Sequence, residues 1–325
     1  PTVIELQDKT AKLLGKEAAL YVQSGTMCNI VATRQHTSPG DEIVTETHSH
    51  MYRYEGGAFA ALSGCSVALV DGKNGLMTSE QVSSSIRKAE GSLSHYPNGS
   101  LVCVENTAQG GGGSVYSQEV IDEICKVARE KDCKLHMDGA RLFNAIVASN
   151  TEPARMVRDF DSVSVCLSKG LGAPIGSVLV GSKKDLAQAH RWRKMFGGGL
   201  RQAGMMAAAG IYALENNIDR LREDHIRARQ FAEALLDMPN FSVNLDKNKL
   251  SIDFLELDNV IEPTGVEHKV EAPKDLETLE KKAALNKENN TEEPNLINFL
   301  DLVSLGTVCD VVPLIGINRA IVKQG

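Results

Sequence analysis

The sequence predicts an α/β fold built on a mainly parallel β-sheet. Short apolar segments typical of buried strands alternate along the chain with longer segments whose apolar residues recur at helical spacing. Such alternation favours parallel strands joined by crossover helices. Two strand-like segments lead directly into polar residues, one at Asp138 and the other at Ser168 and Lys169. Because ligands bind at the carboxyl ends of strands in open α/β sheets, we expect these side chains to share a crevice.

The predicted strands are apolar or alternating segments at residues 18–22, 42–45, 66–70, 101–104, 135–137, 163–167 and 177–181. Helical patterns begin near residues 1, 24 and 47, and further helices are predicted at residues 78–88, 118–130, 183–196, 202–215 and 217–238. Thr78 and Gln81 form a capping-box pattern, and Ser117 is placed to cap the helix that follows it. The glycine run at 110–113 predicts a mobile loop.

Charge and composition exclude several classes of function. The net charge of −7 argues against a general nucleic-acid surface, since phosphate binding depends on clustered lysine and arginine. No run approaches the roughly 18 apolar residues of a membrane span, and no signal peptide is evident, so a cytoplasmic location is expected. The seven cysteines are scattered without paired spacing. They predict reduced core residues and neither disulfides nor a metal site.

A short polar turn follows the first predicted strand. Ser24, Gly25 and Thr26 lie between that strand and an apolar helix pattern. Helix N-termini offer main-chain N–H groups and a favourable dipole to phosphate, and a glycine allows close approach of the ligand. The alternative is an ordinary N-cap, in which Ser24 or Thr26 satisfies its own helix.

Asp138 and Lys169 together suggest the chemistry of pyridoxal phosphate. A lysine can form a Schiff base with the aldehyde of this cofactor, and a carboxylate can keep its pyridine nitrogen protonated. A buried Asp–Lys ion pair with a structural role is the alternative, and the two residues taken alone favour it. The sequence around them supports the cofactor interpretation.

Three long motifs carry a family resemblance: HMDGARLFNA at 136–145, SKGLGAPIGS at 168–177 and RWRKMFGGGLRQ at 191–202. Over residues 1–257 the chain resembles the low-specificity L-threonine aldolases, which belong to the β-eliminating-lyase group of fold-type-I pyridoxal-phosphate enzymes. The resemblance implies pyridoxal 5'-phosphate as the cofactor and a fold-type-I large domain with an incomplete small α+β domain. It also implies a homodimer or homotetramer, because the active sites of the family lie at a dimer interface.

The resemblance implies roles for individual residues. Lys169 would hold the cofactor, Asp138 would pair with its pyridine nitrogen and His50 would stack on its ring. Further cofactor contacts are expected from Gly25, Thr26, Arg141, Ser168 and Arg201. Arg141 would also bind the substrate carboxylate, and His95 would face the β-hydroxyl group of the substrate. His50 or His95 would act as the catalytic base.

The resemblance covers only part of the predicted domain organisation. We expect a cofactor-binding large domain at 1–216, a linking helix and partial small domain at 217–260, with strands at 241–245 and 250–257, and a charged linker at 261–297. Residues 298–325 resemble a fragment of RecJ-type exonucleases of the DHH family but contain no Asp-His-His motif, so they are interpreted as a fusion or gene-model artefact. Family members usually carry a segment before the position of Pro1 and a carboxylate-binding arginine near the C-terminus. This sequence offers no counterpart of that segment or of that arginine, so we expect truncated ends that impair activity.

The expected function is therefore retro-aldol cleavage of threonine or allo-threonine to glycine and an aldehyde, in threonine catabolism and glycine biosynthesis. Three alternatives remain open. The chain could be a β-eliminating lyase acting on phenolic or indolic amino acids, or a catalytically inactive protein with the same fold. The weakest alternative is a nucleic-acid-interacting fusion, against which the acidic balance argues.

Overall fold

The computed structural model describes residues 1–88 and 95–236 of the chain. The first compact unit includes the chain up to His225, and a second unit begins at Ile226. The predicted small-domain strands, the linker and the tail lie outside the described residues, so the predicted domain boundaries stay predictions.

A seven-stranded sheet forms the centre of the first unit. Its strands are β1 (Ala18–Val22), β2 (Glu42–Glu46), β3 (Ser66–Val70), β4 (Gly99–Glu105), β5 (Lys134–Gly139), β6 (Ser162–Cys166) and β7 (Ser177–Gly181). The strand order is β1-β7-β6-β5-β4-β2-β3. The pairs from β6 to β3 are parallel, whereas β7 is antiparallel to both β1 and β6. The predicted mainly parallel sheet is confirmed.

The helices are α1 (Thr2–Leu13), α2 (Gly25–His36), α3 (His50–Arg53), α4 (Ala58–Ala61), α5 (Ser79–Ser85), α6 (Gln118–Glu130), α7 (Leu142–Ser149), α8 (Pro153–Met156), α9 (Lys183–Met195), α10 (Gly204–Asn216) and α11 (Leu221–Leu236). A 3-10 turn spans Gln109–Gly111. Among the described helices, none combines the length and apolarity that a bilayer crossing requires.

Local capping residues account for several helix starts. Thr78 and Gln81 form the predicted capping box at the start of α5, and the Ser117 side chain accepts a hydrogen bond from Val120 N at the start of α6. The prediction for α5 was too long, since the helix ends at Ser85. The helix predicted from residue 217 begins only at Leu221, and α7 and α8 were not predicted.

Helices cover both faces of the sheet, and the side chains of each strand alternate between them. Leu20 and Leu179 enter a core cluster with residues of α2 and α9. Their strand neighbours Tyr21 and Val178 enter the main core cluster on the other face, to which α1, α6 and α10 contribute. This period of two is the expected geometry of strands buried on both faces. The six described cysteines are buried, as predicted for core residues.

The glycine run at 110–113 forms a turn in which Gly110 is exposed and the other three glycines are buried, and its predicted mobility stays a prediction. Gly111 is buried, and a Cβ atom there would lie 1.7 Å from the main-chain oxygen of Asn74. Gly112 and Gly113 adopt left-handed backbone angles, which glycine tolerates without strain. The glycines therefore permit close packing of this turn beneath the carboxyl edge of the sheet.

Candidate active site

Asp138 lies at the carboxyl end of β5, in register with Glu105 of β4 and Ser164 of β6. Its side chain is buried and accepts hydrogen bonds from Asn29 Nδ2 (2.8 Å) and the main-chain nitrogen of Ala140 (3.1 Å). Ser164 Oγ lies 3.3 Å from Asp138 Oδ1, but its one hydrogen is closer to another acceptor, Asn29 Oδ1 at 3.0 Å. The described residues thus surround this carboxylate with hydrogen-bond donors, which is what an acceptor-only group requires.

Asn29, on the first turns of α2, connects Asp138 to a second carboxylate. Its Nδ2 also donates to Glu55 Oε1 at 2.8 Å. Its Oδ1 accepts from Ser164 Oγ at 3.0 Å and lies 3.1 Å from His136 Nε2. We call these five residues, Asn29, Glu55, Asp138, His136 and Ser164, the Asn29 network.

His50 begins α3 and contacts the Asn29 network through Glu55. Its Nδ1 lies 3.1 Å from Glu55 Oε1, and the nearest polar atoms of His50, Glu55 and Asp138 lie within 4.8 Å of one another. The hydrogen bond with Glu55 raises the pKa of His50, against the opposing effects of burial and the Lys169 charge. Because Glu55 is the acceptor, Nδ1 carries the hydrogen and Nε2 is left to accept a proton.

The Glu105 side chain is hydrogen-bonded to the main chain at His50. Its Oε2 accepts a hydrogen bond from His50 N (2.7 Å), and its Oε1 accepts one from Gln109 N (2.9 Å). Burial, reinforced by the nearby Asp138 charge, raises the pKa of Glu105 to about 7. This carboxyl group therefore connects the start of α3 to the turn that follows β4.

Ser168 and Lys169 follow the end of β6, the strand that pairs with β5 beside Asp138. Both are partly buried. Burial raises the pKa of Cys166, and the Lys169 charge opposes that rise. The Lys169 charge also opposes the rise in the pKa of His50 that Glu55 causes. Arg141 follows β5 and donates from Nη1 to Gln109 Oε1 at 3.2 Å. The lysine, the two carboxylates and the arginine are thus brought to one edge of the sheet.

Gly25 and Thr26 form the first turn of α2. Ser24 is the N-cap and accepts a hydrogen bond from Met27 N, as the ordinary capping interpretation expected. A Cβ atom on Gly25 would lie 2.8 Å from Cys166 Sγ, so a side chain there would need space that the end of β6 occupies. Capping by Ser24 does not compete with a ligand, since the first turn of a helix has further N–H groups without intrahelical acceptors.

Within one chain, two residues that were predicted for the site lie away from this cluster. His95 is exposed and precedes the amino end of β4, whereas Asp138 and Glu105 lie at the carboxyl ends of their strands. Arg201 is exposed just before α10. Their predicted roles stay predictions.

A family model described as beta-eliminating lyase matches residues 1–258. The chain belongs to the beta-eliminating lyase family. Low-specificity L-threonine aldolase 1 of Arabidopsis thaliana is 39% identical over 261 residues, covering 80% of this chain and 73% of the relative. Low specificity L-threonine aldolase of Escherichia coli (strain K12) is 41% identical over 253 residues, covering 78% and 74%.

The fold also has known counterparts. Leishmania major threonine aldolase matches with a TM-score of 0.66 and 20% identity, covering 77% of this chain and 72% of that one. This likeness shows the fold and confirms the predicted fold-type-I architecture. No comparison supports the resemblance of residues 298–325 to RecJ-type exonucleases, and that segment lies outside the described residues.

The residues of this beta-eliminating lyase fit pyridoxal phosphate, the cofactor of the family. An amine at the end of β6, a buried carboxylate surrounded by donors and a histidine beside it supply the groups that the reactive part of the cofactor requires. At the start of α2, Gly25 and Thr26 lie on the first turn, where main-chain N–H groups have no intrahelical acceptors. Such a helix start suits a phosphate group.

Sequence reasoning missed Asn29, Glu55, Glu105 and His136 as parts of this lyase site. A signal was present in β5 and β6, where His136 and Asp138 alternate with apolar residues, as do Ser162 and Ser164. Polar side chains at a period of two within buried strands share one face, which indicates a polar network inside the core. Asn29 has no such local signal, because its partners come from three other elements.

Proposed function

We propose that this chain cleaves L-threonine and L-allo-threonine to glycine and an aldehyde with bound pyridoxal phosphate. The relatives named as low-specificity L-threonine aldolases, at 39% and 41% identity, support this substrate class. The observation that carries the proposal is the hydrogen-bonded connection from Asp138 through Asn29 and Glu55 to His50. It links a group suited to the pyridine nitrogen with a group suited to proton transfer.

In this proposal Lys169 holds the cofactor aldehyde and Asp138 faces the pyridine nitrogen. Gly25, Thr26, Ser168 and Arg201 hold the phosphate. When bound, pyridoxal phosphate supplies an electron sink for the electron pair released as the bond between Cα and Cβ breaks.

His50 is the proposed base for the β-hydroxyl proton, whose removal allows this bond to break. Glu55 accepts the hydrogen of Nδ1, so Nε2 is the nitrogen that takes the proton. The resulting imidazolium would be stabilised by the Glu55 carboxylate, as the raised pKa of His50 indicates. His95 remains the other candidate base.

Arg141 is the proposed contact for the substrate carboxylate. A guanidinium group binds a carboxylate through two parallel hydrogen bonds, which orient the substrate as well as binding it. Gln109 Oε1 accepts from Nη1 of Arg141, and Gln109 N donates to Glu105. The arginine is therefore held by the same turn that supports the main chain of His50.

We propose further that the chain forms a homodimer or homotetramer. Large apolar side chains lie exposed between the end of α9 and α10: Met195, Leu200, Met205, Met206 and Tyr212. Met205 is 78% exposed, and exposed apolar surface of this kind marks contact sites. Arg201 belongs to the same surface, so a second copy would cover it.

Light scattering tests the assembly, and Met205→Glu is expected to reduce the mass to that of a smaller species.

The first experiment is a visible absorbance spectrum of the purified chain with pyridoxal phosphate, followed by an assay of acetaldehyde released from L-threonine. The wild-type chain should give a visible band and release acetaldehyde, whereas Lys169→Ala should do neither. Lys184→Ala, which removes an exposed lysine at the start of α9, is the matched control and should behave as wild type.

Other outcomes favour the alternatives. Phenol from tyrosine or indole from tryptophan, without acetaldehyde from threonine, would replace the proposal with a β-eliminating lyase. A band without any turnover would indicate a cofactor site in an inactive protein. The cytoplasmic location and the part in threonine catabolism and glycine biosynthesis stay predictions from the sequence.

A further inference from the structure

The Asn29 side chain uses all of its hydrogen-bonding capacity inside the core. Its two N–H groups point at two carboxylates, and its carbonyl oxygen meets two donors, His136 and Ser164. An amide has two donors and two acceptor positions, so none is left over. Rotating the amide by half a turn would place its oxygen against both Asp138 and Glu55. One orientation is therefore strongly preferred.

His136 reinforces that orientation from the opposite side. It is fully buried, and burial lowers its pKa to about 4, so the ring is neutral at physiological pH. Its Nε2 faces the Asn29 oxygen and must carry the hydrogen. Its Nδ1 then accepts from Ser162 Oγ at 2.8 Å, and Ser162 Oγ lies 2.9 Å from His36 Nε2. His36, Ser162 and His136 thus form a row of hydrogen bonds in which each residue donates to the next one, and His136 donates to Asn29.

The amide also keeps two buried carboxyl groups apart from direct contact. Burial raises the pKa of Glu55, and the Asp138 charge adds to this, while the hydrogen bonds from His50 and Asn29 oppose it. The Glu55 and Asp138 carboxylates both contact the same amide nitrogen, and like charges so close together repel strongly in a buried site. One NH2 group donates to both of them at 2.8 Å, so their positions are fixed relative to one another.

We propose that Asn29 and His136 are positioning residues for the cofactor site. The Asn29 amide sets the separation of Asp138 and Glu55, and thus of the groups that face the pyridine nitrogen and carry the base His50. His136 sets the orientation of that amide. This inference rests on the proposed function, because Asp138 and His50 have these tasks only if the cofactor is bound there.

The proposal distinguishes substitutions of similar size by their hydrogen-bonding groups. Asn29→Asp replaces the shared NH2 group with an oxygen that faces two carboxylates. His136→Leu removes the donor to the Asn29 oxygen, whereas His136→Gln keeps one donor and one acceptor without a titrating ring. Thr33→Val is the matched control, since Thr33 is buried one turn further along α2 and its hydroxyl makes no hydrogen bond within the described residues.

The test is a cofactor titration of each apoprotein, read by visible absorbance over a series of pH values. Asn29→Asp and His136→Leu are expected to raise the apparent Kd for pyridoxal phosphate roughly tenfold or more and to move the pH dependence of the visible band. His136→Gln and Thr33→Val should stay within about threefold of wild type. With threonine, kcat should fall more than KM rises for Asn29→Asp. Trp192 fluorescence in urea measures the folding of each variant separately.

The outcomes separate this inference from the proposed function. If wild type gives a visible band and Asn29→Asp leaves both the Kd and the pH dependence unchanged, the positioning role is overturned and the aldolase proposal stands. A loss of affinity in His136→Gln equal to that in His136→Leu also overturns it, because the hydrogen bonds would then not be the cause. If Asn29→Asp does not fold, the pair of His136 variants decides. Absence of a band in wild type overturns both proposals.

Discussion

The buried imidazole of His136 should make folding sensitive to acid. The pKa of His136 falls from its usual 6.5 to about 4, mainly because the side chain is buried, although the Asp138 charge opposes this and His36 adds to it. Below pH 6.5 the unfolded chain takes up a proton at this site that the folded chain does not bind until near pH 4. This histidine therefore contributes its full stability above pH 6.5 and loses it as the pH falls towards 4.

The size of this effect follows from the two pKa values. Each tenfold difference in proton affinity corresponds to about 1.4 kcal/mol, so the free energy of unfolding should fall by about 3 kcal/mol through His136 between pH 6.5 and 4. Glu105 acts in the opposite direction, because burial raises its pKa to about 7 and the folded chain gains relative stability as the pH falls from 7 towards 4.5. Comparing wild type with a His136 variant at each pH separates the contribution of this histidine from that of Glu105.

The assay is urea unfolding of wild type and His136→Gln at several pH values, followed by the fluorescence of Trp192. Trp192 is the single tryptophan of the chain and lies in the unit that holds the site. The difference in unfolding free energy between the two proteins should change by about 3 kcal/mol across this range. His95→Gln, an exposed histidine that precedes β4, is the matched control and should give curves nearly parallel to wild type. Parallel curves for His136→Gln would refute the reasoning.

Three further predictions follow from close contacts. Gly25→Val should lower the unfolding free energy in urea by about 1–3 kcal/mol, because its Cβ would lie 2.8 Å from Cys166 Sγ; an unchanged value would refute this close packing of α2 against β6. Gln109→Ala should raise KM for threonine several-fold with a smaller change in kcat, since the contact at 3.2 Å that holds Arg141 is lost. Tyr116→Phe should lower the unfolding free energy in urea by about 1–3 kcal/mol, because a buried main-chain N–H loses its acceptor, while the cofactor affinity should not change.

The sequence predicted elements whose signals are local. Ser117 and the capping box at Thr78 fixed helix starts, and the alternating valines before Ser168 predicted β6. The direction of β7 had no local signal, because an antiparallel strand has the same period of two as a parallel one. The buried turn of the glycine run depends on Asn74, a residue distant in sequence.

The candidate site was predicted to a similar limit. Asp138 and Lys169 were predicted because long motifs and strand ends mark them, and His50 was predicted from the family resemblance; their roles stay predictions. Asn29 was missed because its role depends on the register of β5 with β6 and on the position of α2, which pattern analysis does not determine. His95 was predicted to face the substrate. In the fold of a single chain it precedes the amino end of β4, whereas Asp138 lies at the carboxyl end of β5.

The pairing of β1 with β7 has a consequence for synthesis of the protein. Ala18 pairs with Gly181 across the sheet, so β1 has no strand partner until almost the whole unit has left the ribosome. At roughly 5–20 residues per second, the intervening stretch of about 160 residues takes about 8–30 s to translate. The parallel strands from β2 to β6 can pair during this interval, whereas β1, followed directly by Gly25 and Asn29, must wait. The candidate site is therefore among the last parts of the unit to form on a nascent chain, and early packing of α1 against β1 would affect the yield of folded protein.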